Sequence, residues 1–243
     1  SGGIDFTFDS YPYLRGFTIL AMRVLPPGFA GGRTADVLSA LRDSATRDAL
    51  AHGWESAGRL VELGELLIGA ADNPAWRWAE GRTVAECAAE RGASVPQTIL
   101  ALLSETELAV SVITSPSEIS GESDMRLLAK RPEHMAGSDG IYIGSSPHPR
   151  GWGAFARFLG QHVREFGDWT WGEAAEHLSA NACRRFGLTD RGVLRANAFA
   201  DIAIVDPQTV RDSSDYENPT GLALGVDDVI VAGELVLSAG ALT

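Results

Sequence analysis

At 243 residues and 45% hydrophobic content, the chain can bury one large core or two modest ones, which excludes a disordered polypeptide. Its 32 acidic against 20 basic residues leave a formal net charge of -12, so the chain repels polyanions and nucleic acid is excluded as a partner. No apolar run approaches the roughly 20 residues of a membrane span, and the start Ser1-Gly2-Gly3-Ile4-Asp5 has neither the basic nor the apolar region of a leader, so no membrane association and a cytoplasmic location are expected.

In chain order, residues 4–9 alternate strictly, with Ile4, Phe6 and Phe8 on one face, which predicts a half-buried strand. It ends at Tyr11-Pro12-Tyr13, because Pro12 has no amide hydrogen and holds Tyr11 extended. Leu25-Pro26-Pro27-Gly28 and Ala30-Gly31-Gly32 break the chain, and Val37, Leu38, Leu41, Ala45 and Leu50 then suit one helix over 34–51 with Thr34 as its cap. A strand is expected over 66–70, followed by a helix over 84–91 with Thr83 and Glu86 at capping-box spacing and Gly92 closing it. Another helix covers 95–103, and "LAVSVI" at 108–113 reads as a buried strand. Residues 124–130 suit a helix, and 135–138 a short strand that delivers Asp139. Strands alternating with helices argue for a parallel sheet or barrel. Two amphipathic helices follow over 155–166 and 171–186, the second capped by Thr170 and stopped by Gly187. The segments "ADIAIVDPQTV" and "VDDVIVAGELVLSAG" predict an antiparallel β unit, which divides the chain into 1–190 and 191–243.

Cys87 and Cys183 lie far apart in Ala-rich helical stretches and read as free thiols. His52, His134, His148, His162 and His177 show no i, i+2 or i, i+4 pair, so spacing alone yields no zinc site. Asp139 follows a strand and precedes a glycine, so its carboxylate is either a metal ligand and proton carrier or part of a plain turn. Arg150 offers a guanidinium fork that fits a substrate carboxylate, or it solvates a face. His148 is a proton shuttle, a ligand or a structural loop residue. Tyr11 presents its hydroxyl to a carbonyl oxygen or packs as an amphipathic ring at the core edge.

Taken together, "FDSYPYLRGFTIL" at 8–20, "LPPGFAGG" at 25–32, "GRTVAECAAERG" at 81–92, "MAGSDG" at 135–140, "HPRGWGAFARFLG" at 148–160 and "LTDRGVLRANAFADIAIVDP" at 188–207 resemble the N-acyl-D-amino-acid deacylases of the amidohydrolase superfamily. The resemblance implies an α/β fold: the carboxyl-terminal part of a (β/α)8 TIM barrel over 1–190, plus part of a small β-sandwich domain over 191–243. It further implies zinc as cofactor, Asp139 as metal-site carboxylate and general acid/base, Arg150 on the α-carboxylate of the D-amino acid, and Tyr11 holding the substrate, a small N-acyl amino acid. Two positions depart from the family pattern. Gly16-Phe17-Thr18 places a ring where relatives offer a serine hydroxyl, and Asn197 stands where they have Gly, a mild change because Asn tolerates left-handed angles. The family chains are also roughly twice as long, since a barrel of about 250 residues carries the β domain as well. Their metal-binding histidines come from the first half. The expected partner is therefore an amino-terminal half carrying those histidines, in a heteromeric assembly. Two other readings are a related amidohydrolase acting on a cyclic imide, ureide or other N-acyl compound, and a non-catalytic binding or scaffolding module.

Overall fold

The computed structural model of the protein describes residues 3–29, 32–116 and 121–243; the break expected at Ala30-Gly31 lies outside them. The strands, in order, are β1 (Phe8–Ser10), β2 (Phe17–Ile19), β3 (Leu67–Ala71), β4 (Val110–Ile113), β5 (His134–Ala136), β6 (Ile202–Val205), β7 (Val226–Val231), β8 (Glu234–Ser238) and β9 (Ala241–Leu242). Among the described residues they form three separate sheets, ordered β1-β5, β2-β4-β3 and β6-β7-β8-β9, in a mixed α/β fold that closes no barrel. The chain divides into two units. One comprises Ser1–Leu14, Glu118–Ile141 and Pro149–Thr243, and the other Arg15–Ser117 and Tyr142–His148.

In the Arg15–Ser117 unit, β4 is the central strand and all four of its residues are buried, which is why "VSVI" shows no polar alternation. Its partners run antiparallel to it, Phe17 opposite Ile113 and Leu67 opposite Ile113, where alternation of strand and helix predicts parallel pairing. Two helices, Val84–Arg91 and Val95–Glu105, lie between β3 and β4. A single helix carries the chain across a sheet and delivers a parallel strand, whereas two in succession bring it back to the end it left. Both helices begin with the capping box: Thr83 Oγ1 accepts from Glu86 N at 3.2 Å, and Glu86 Oε2 accepts from Thr83 N at 2.7 Å, with Ser94 and Gln97 repeating the pattern. Gly92 ends the first at φ 61°, as expected. The single helix expected over 34–51 is instead two, Thr34–Arg42 and Ser44–Ser56. Asp43 breaks it, because its carboxylate accepts from Thr46 N at 2.8 Å and starts a new helix. Thr34 does not cap, since Arg33 precedes the helix and makes no side-chain cap bond. Leu41, Leu63, Ile68, Trp76, Ile99 and Leu102 fill the core between these helices and the sheet.

In the other unit β1 and β5 pair in parallel, Phe8 opposite His134 and Ser10 opposite Ala136. The first strand is shorter than the alternation suggests, and Ile4 and Phe6 are exposed. The helix Arg150–Arg157 begins five residues before the predicted start and passes into a π-helical segment, Phe158–Glu165. A second π-helical segment, Glu176–Ala180, interrupts the next helix between Trp171–Ala175 and Asn181–Arg185. Thr170 caps that helix with Glu173, and Gly187 ends it at φ 70°. Ala129, Phe158, Trp169 and Ala174 form the core of this unit. Strands β6 to β9 are the expected antiparallel run, and Ala232-Gly233, both at positive φ, make the tight turn from β7 to β8. Asn197 sits at φ 67°, the left-handed conformation anticipated for it. Cys87 and Cys183 are free thiols; Cys87 is buried, which pushes its thiol up to about 11, while Cys183 is half-buried.

Replacing the cap, Thr83→Ala, should lower unfolding free energy by about 1 kcal/mol, read as a shifted urea midpoint at constant slope. An unshifted midpoint would show that Glu86 alone secures this helix end.

Candidate active site

The parallel pair β1-β5 sends two chain segments off the same edge, and the candidate site forms where they emerge. Tyr11 directly follows β1. After β5, Gly137 N donates to Ser10 O at 2.9 Å, so the pairing persists one step beyond the strand and then releases Ser138 and Asp139. Asp139 adopts φ 45°, a left-handed conformation that L-residues other than Asn and Asp rarely accept. Its side chain remains 61% exposed.

Arg150, the first residue of its helix, holds that conformation in place. Its Nε donates to the Asp139 carbonyl oxygen at 2.9 Å, and its Nη2 lies 2.7 Å from the Asp139 carboxylate. The guanidinium carbon sits 4.3 Å from the centre of the Tyr11 ring, so the aromatic face covers the cation. The Arg150 side chain is 1% exposed, and a buried cation of this kind persists only when paired and hydrogen-bonded. Tyr11 and the pair Asp139 and Arg150, drawn from two distant stretches of sequence, are thus brought together. Asp9, Tyr11, Tyr13, Asp124 and Asp139 line a cleft of about 450 Å3.

A supporting layer escaped the sequence reading. Tyr13, the second tyrosine of Tyr-Pro-Tyr, is buried and donates to Asp212 Oδ2 at 3.2 Å. Arg157 donates to the same oxygen at 3.1 Å and to the Pro12 carbonyl at 2.8 Å, with its guanidinium over the Tyr13 ring. Burial, then the nearby Asp212 charge, pushes the Tyr13 phenol well above its ordinary value, so it acts as a donor. The signal was the small residue at Gly153, where a Cβ would collide with the Ser214 hydroxyl, the Tyr13 phenol and Asp212.

The His-Pro-Arg triplet divides between the two units. His148 belongs to the Arg15–Ser117 unit, where its Nε2 lies 3.0 Å from the Arg15 carbonyl oxygen, an anchoring contact. Phe17 is buried in that unit, its ring over Gly69 in the sheet, so it serves packing there. Among the described residues no group of three or more His, Cys, Asp or Glu side chains converges as a metal site. Asp139 presents an exposed carboxylate shortly beyond the end of β5.

The amidohydrolase family profile matches residues 33–237, so the chain belongs to that family. Within it, the branch is that of the D-aminoacylases. The chain is 37% identical over 163 residues to D-aminoacylase of Alcaligenes xylosoxydans xylosoxydans, covering 67% of this chain and 32% of that protein. It is 39% identical over 112 residues to N-acyl-D-glutamate deacylase of the same organism, covering 46% of this chain and 23% of that protein. The crystal structure of N-acyl-D-glutamate deacylase from Bordetella bronchiseptica, complexed with zinc and a phosphonate inhibitor that mimics the tetrahedral intermediate, superposes with a TM-score of 0.72 at 27% identity, covering 99% of this chain and 42% of that one. The chain therefore spans a third or less of the length of these two curated relatives.

Arg150→Lys keeps the charge but loses the planar fork that reaches carbonyl and carboxylate together. Urea unfolding should show a loss of about 2 kcal/mol. A midpoint equal to wild type would mean that Asp139 holds its backbone conformation unaided.

Proposed function

We propose that the chain is the carboxyl-terminal portion of a zinc-dependent hydrolase that splits N-acyl-D-amino acids into a carboxylate and a free D-amino acid. The observation that carries this reading is the convergence of Tyr11, Asp139 and Arg150 at the carboxyl ends of two parallel strands. On this reading β1 and β5 are neighbouring strands of a (β/α)8 barrel, residues 191–243 contribute to its small β domain, and the remaining barrel strands and metal-binding histidines belong to polypeptide outside these 243 residues.

Asp139 is the residue of this chain that would hold the metal: it is an oxygen donor, exposed and fixed in orientation by Arg150. Zinc, when bound, supplies a water of pKa near 7 and polarises the amide carbonyl. Asp139 takes the proton released as water adds to the acyl carbon, and hands it to the nitrogen as the carbon–nitrogen bond breaks. Arg150 keeps Asp139 with Nε and one Nη and directs its positive field at the α-carboxylate of the substrate. Tyr11 caps the guanidinium face and excludes water from it, which strengthens that attraction.

Assay of the complete enzyme on N-acetyl-D-amino acids tests the reading. Asp139→Ala should lower kcat at least about a hundredfold. Arg150→Ala should raise KM by roughly tenfold or more, the loss of one charge-assisted contact. Turnover undiminished in Asp139→Ala, or absent from every N-acyl-D-amino acid in the wild-type enzyme, would overturn it.

A further inference from the structure

Behind the strand pair lies a stack of histidines that the reaction scheme does not use. His134 on β5 is fully buried, and its ring is surrounded by Phe8, Phe158 and Trp169 at centroid distances of 5.6, 5.9 and 5.8 Å. Trp169 has His177 stacked on it at 4.6 Å and 10°, and His162 at 5.1 Å and 28°. Each of these two histidines sits in one of the π-helical segments, a rare winding that here carries a buried imidazole to the same indole.

The hydrogen bonds permit one arrangement of protons. His177 Nδ1 lies 3.0 Å from the His134 carbonyl oxygen, which can only accept, so His177 carries its proton there. That N–H also faces His134 Nδ1 at 3.4 Å, so His134 Nδ1 is bare. The His134 proton is then on Nε2, 2.9 Å from Ser10 Oγ. Asn181 Nδ2 completes the set by donating to the His134 carbonyl at 2.9 Å. Ser10 is the last residue of β1, its carbonyl receives Gly137 N, and Tyr11 comes next. The connection therefore runs from the helix layer through β5 to the point where both chain segments leave for the candidate site.

We propose that Ser10, His134 and His177 form a positioning relay that holds the end of β1 in register with the end of β5, and so Tyr11 beside Asp139, and that the relay is intact only while His134 is neutral. A second proton on His134 has one place to go, Nδ1, directly against the N–H of His177. The surroundings oppose that proton as well. Burial first, then the neighbouring His177 and His162, brings the His134 imidazole down to about 4. The remaining charges lie behind His162: Asp168 accepts from its Nδ1 at 3.0 Å and is paired with Arg126 and Lys130, while Arg157 lies near His162 and Glu173 near His177. Burial opposes charge on Asp168, but its bonds from Arg126 and Lys130 prevail and hold it down at about 2, so it stays ionised through the range that matters. The sign follows. A folded-state pKa below the ordinary 6.5 means the folded chain keeps its relay until pH nears 4, while the stability it lends, full above pH 6.5, declines as pH falls from 6.5 towards 4 because the unfolded chain takes up the proton first.

The proposal rests on the deacylase reading only for its catalytic readout. In the complete enzyme, hydrogen–deuterium exchange at Gly137 and steady-state kinetics on N-acetyl-D-amino acids are compared for wild type, Ser10→Ala and Ser10→Thr at pH 7. Ser10→Ala should lose up to about tenfold in protection and a similar factor in kcat, with KM within about twofold, and Ser10→Thr, which keeps the hydroxyl, should restore both. Nitrogen-15 spectra of the imidazoles should show His134 as the Nε2–H tautomer at pH 7, still neutral at pH 5.5, with Gly137 protection falling in step with its titration. Unchanged exchange and kcat in Ser10→Ala, or a His134 that charges near pH 6.5 with no loss of protection, would overturn the relay. An enzyme inert towards N-acyl-D-amino acids that still gives the exchange and spectral results would sustain the relay and remove the deacylase reading.

Discussion

Asp139 is held in a left-handed backbone conformation by one arginine that donates to its carbonyl and ion-pairs with its carboxylate, and the candidate site depends on that clamp. An isolated aspartate relaxes readily from φ 45°, and a buried guanidinium without a partner is costly. Each residue thus removes the other's penalty. The Tyr11 ring over the guanidinium seals the arrangement from one side. The result is a carboxylate that is exposed yet fixed in direction, which is what a proton carrier or a metal donor needs.

The clamp works because the strands beneath it are short and tightly bound. Only three residue pairs join β1 to β5, too few to define a register by backbone bonds alone. Side chains supply the rest: Ser10 to His134 on the helix side, and Tyr13 with Arg157 and Asp212 where β1 leads into the loop. The π-helical turns belong to the same solution, since they carry His162 and His177 to Trp169 within helices that otherwise wind regularly. The Arg15–Ser117 unit solves a different problem. Its three-stranded sheet is covered by capped helices and has its own apolar core.

Local chemistry was legible wherever neighbours in sequence are also partners in space. The capping box at Thr83, the cap at Thr170, the left-handed closures at Gly92 and Gly187, and the hairpins from β7 to β9 all involve contacts within a few residues or a tight turn. Asp43 shows the limit of that reasoning. The apolar spacing across 34–51 fits one helix, but a side chain that can cap competes with helix continuation, and periodicity does not register the competition. The motifs around Tyr11, Asp139 and Arg150 were also visible, as were the residue types their chemistry requires.

The sequence by itself marked most helices and strands and many of their ends, and named Tyr11, Asp139 and Arg150 as candidates through a family resemblance, because such features follow from periodicity, caps and motifs. Strand direction in β2-β4-β3, the meeting of Tyr11, Asp139 and Arg150, and the proton arrangement of the histidine stack were decided only by the tertiary structure. Each depends on contacts between residues 11 to about 140 positions apart, and the energy of such a contact exists only once the chain has closed the loop between them.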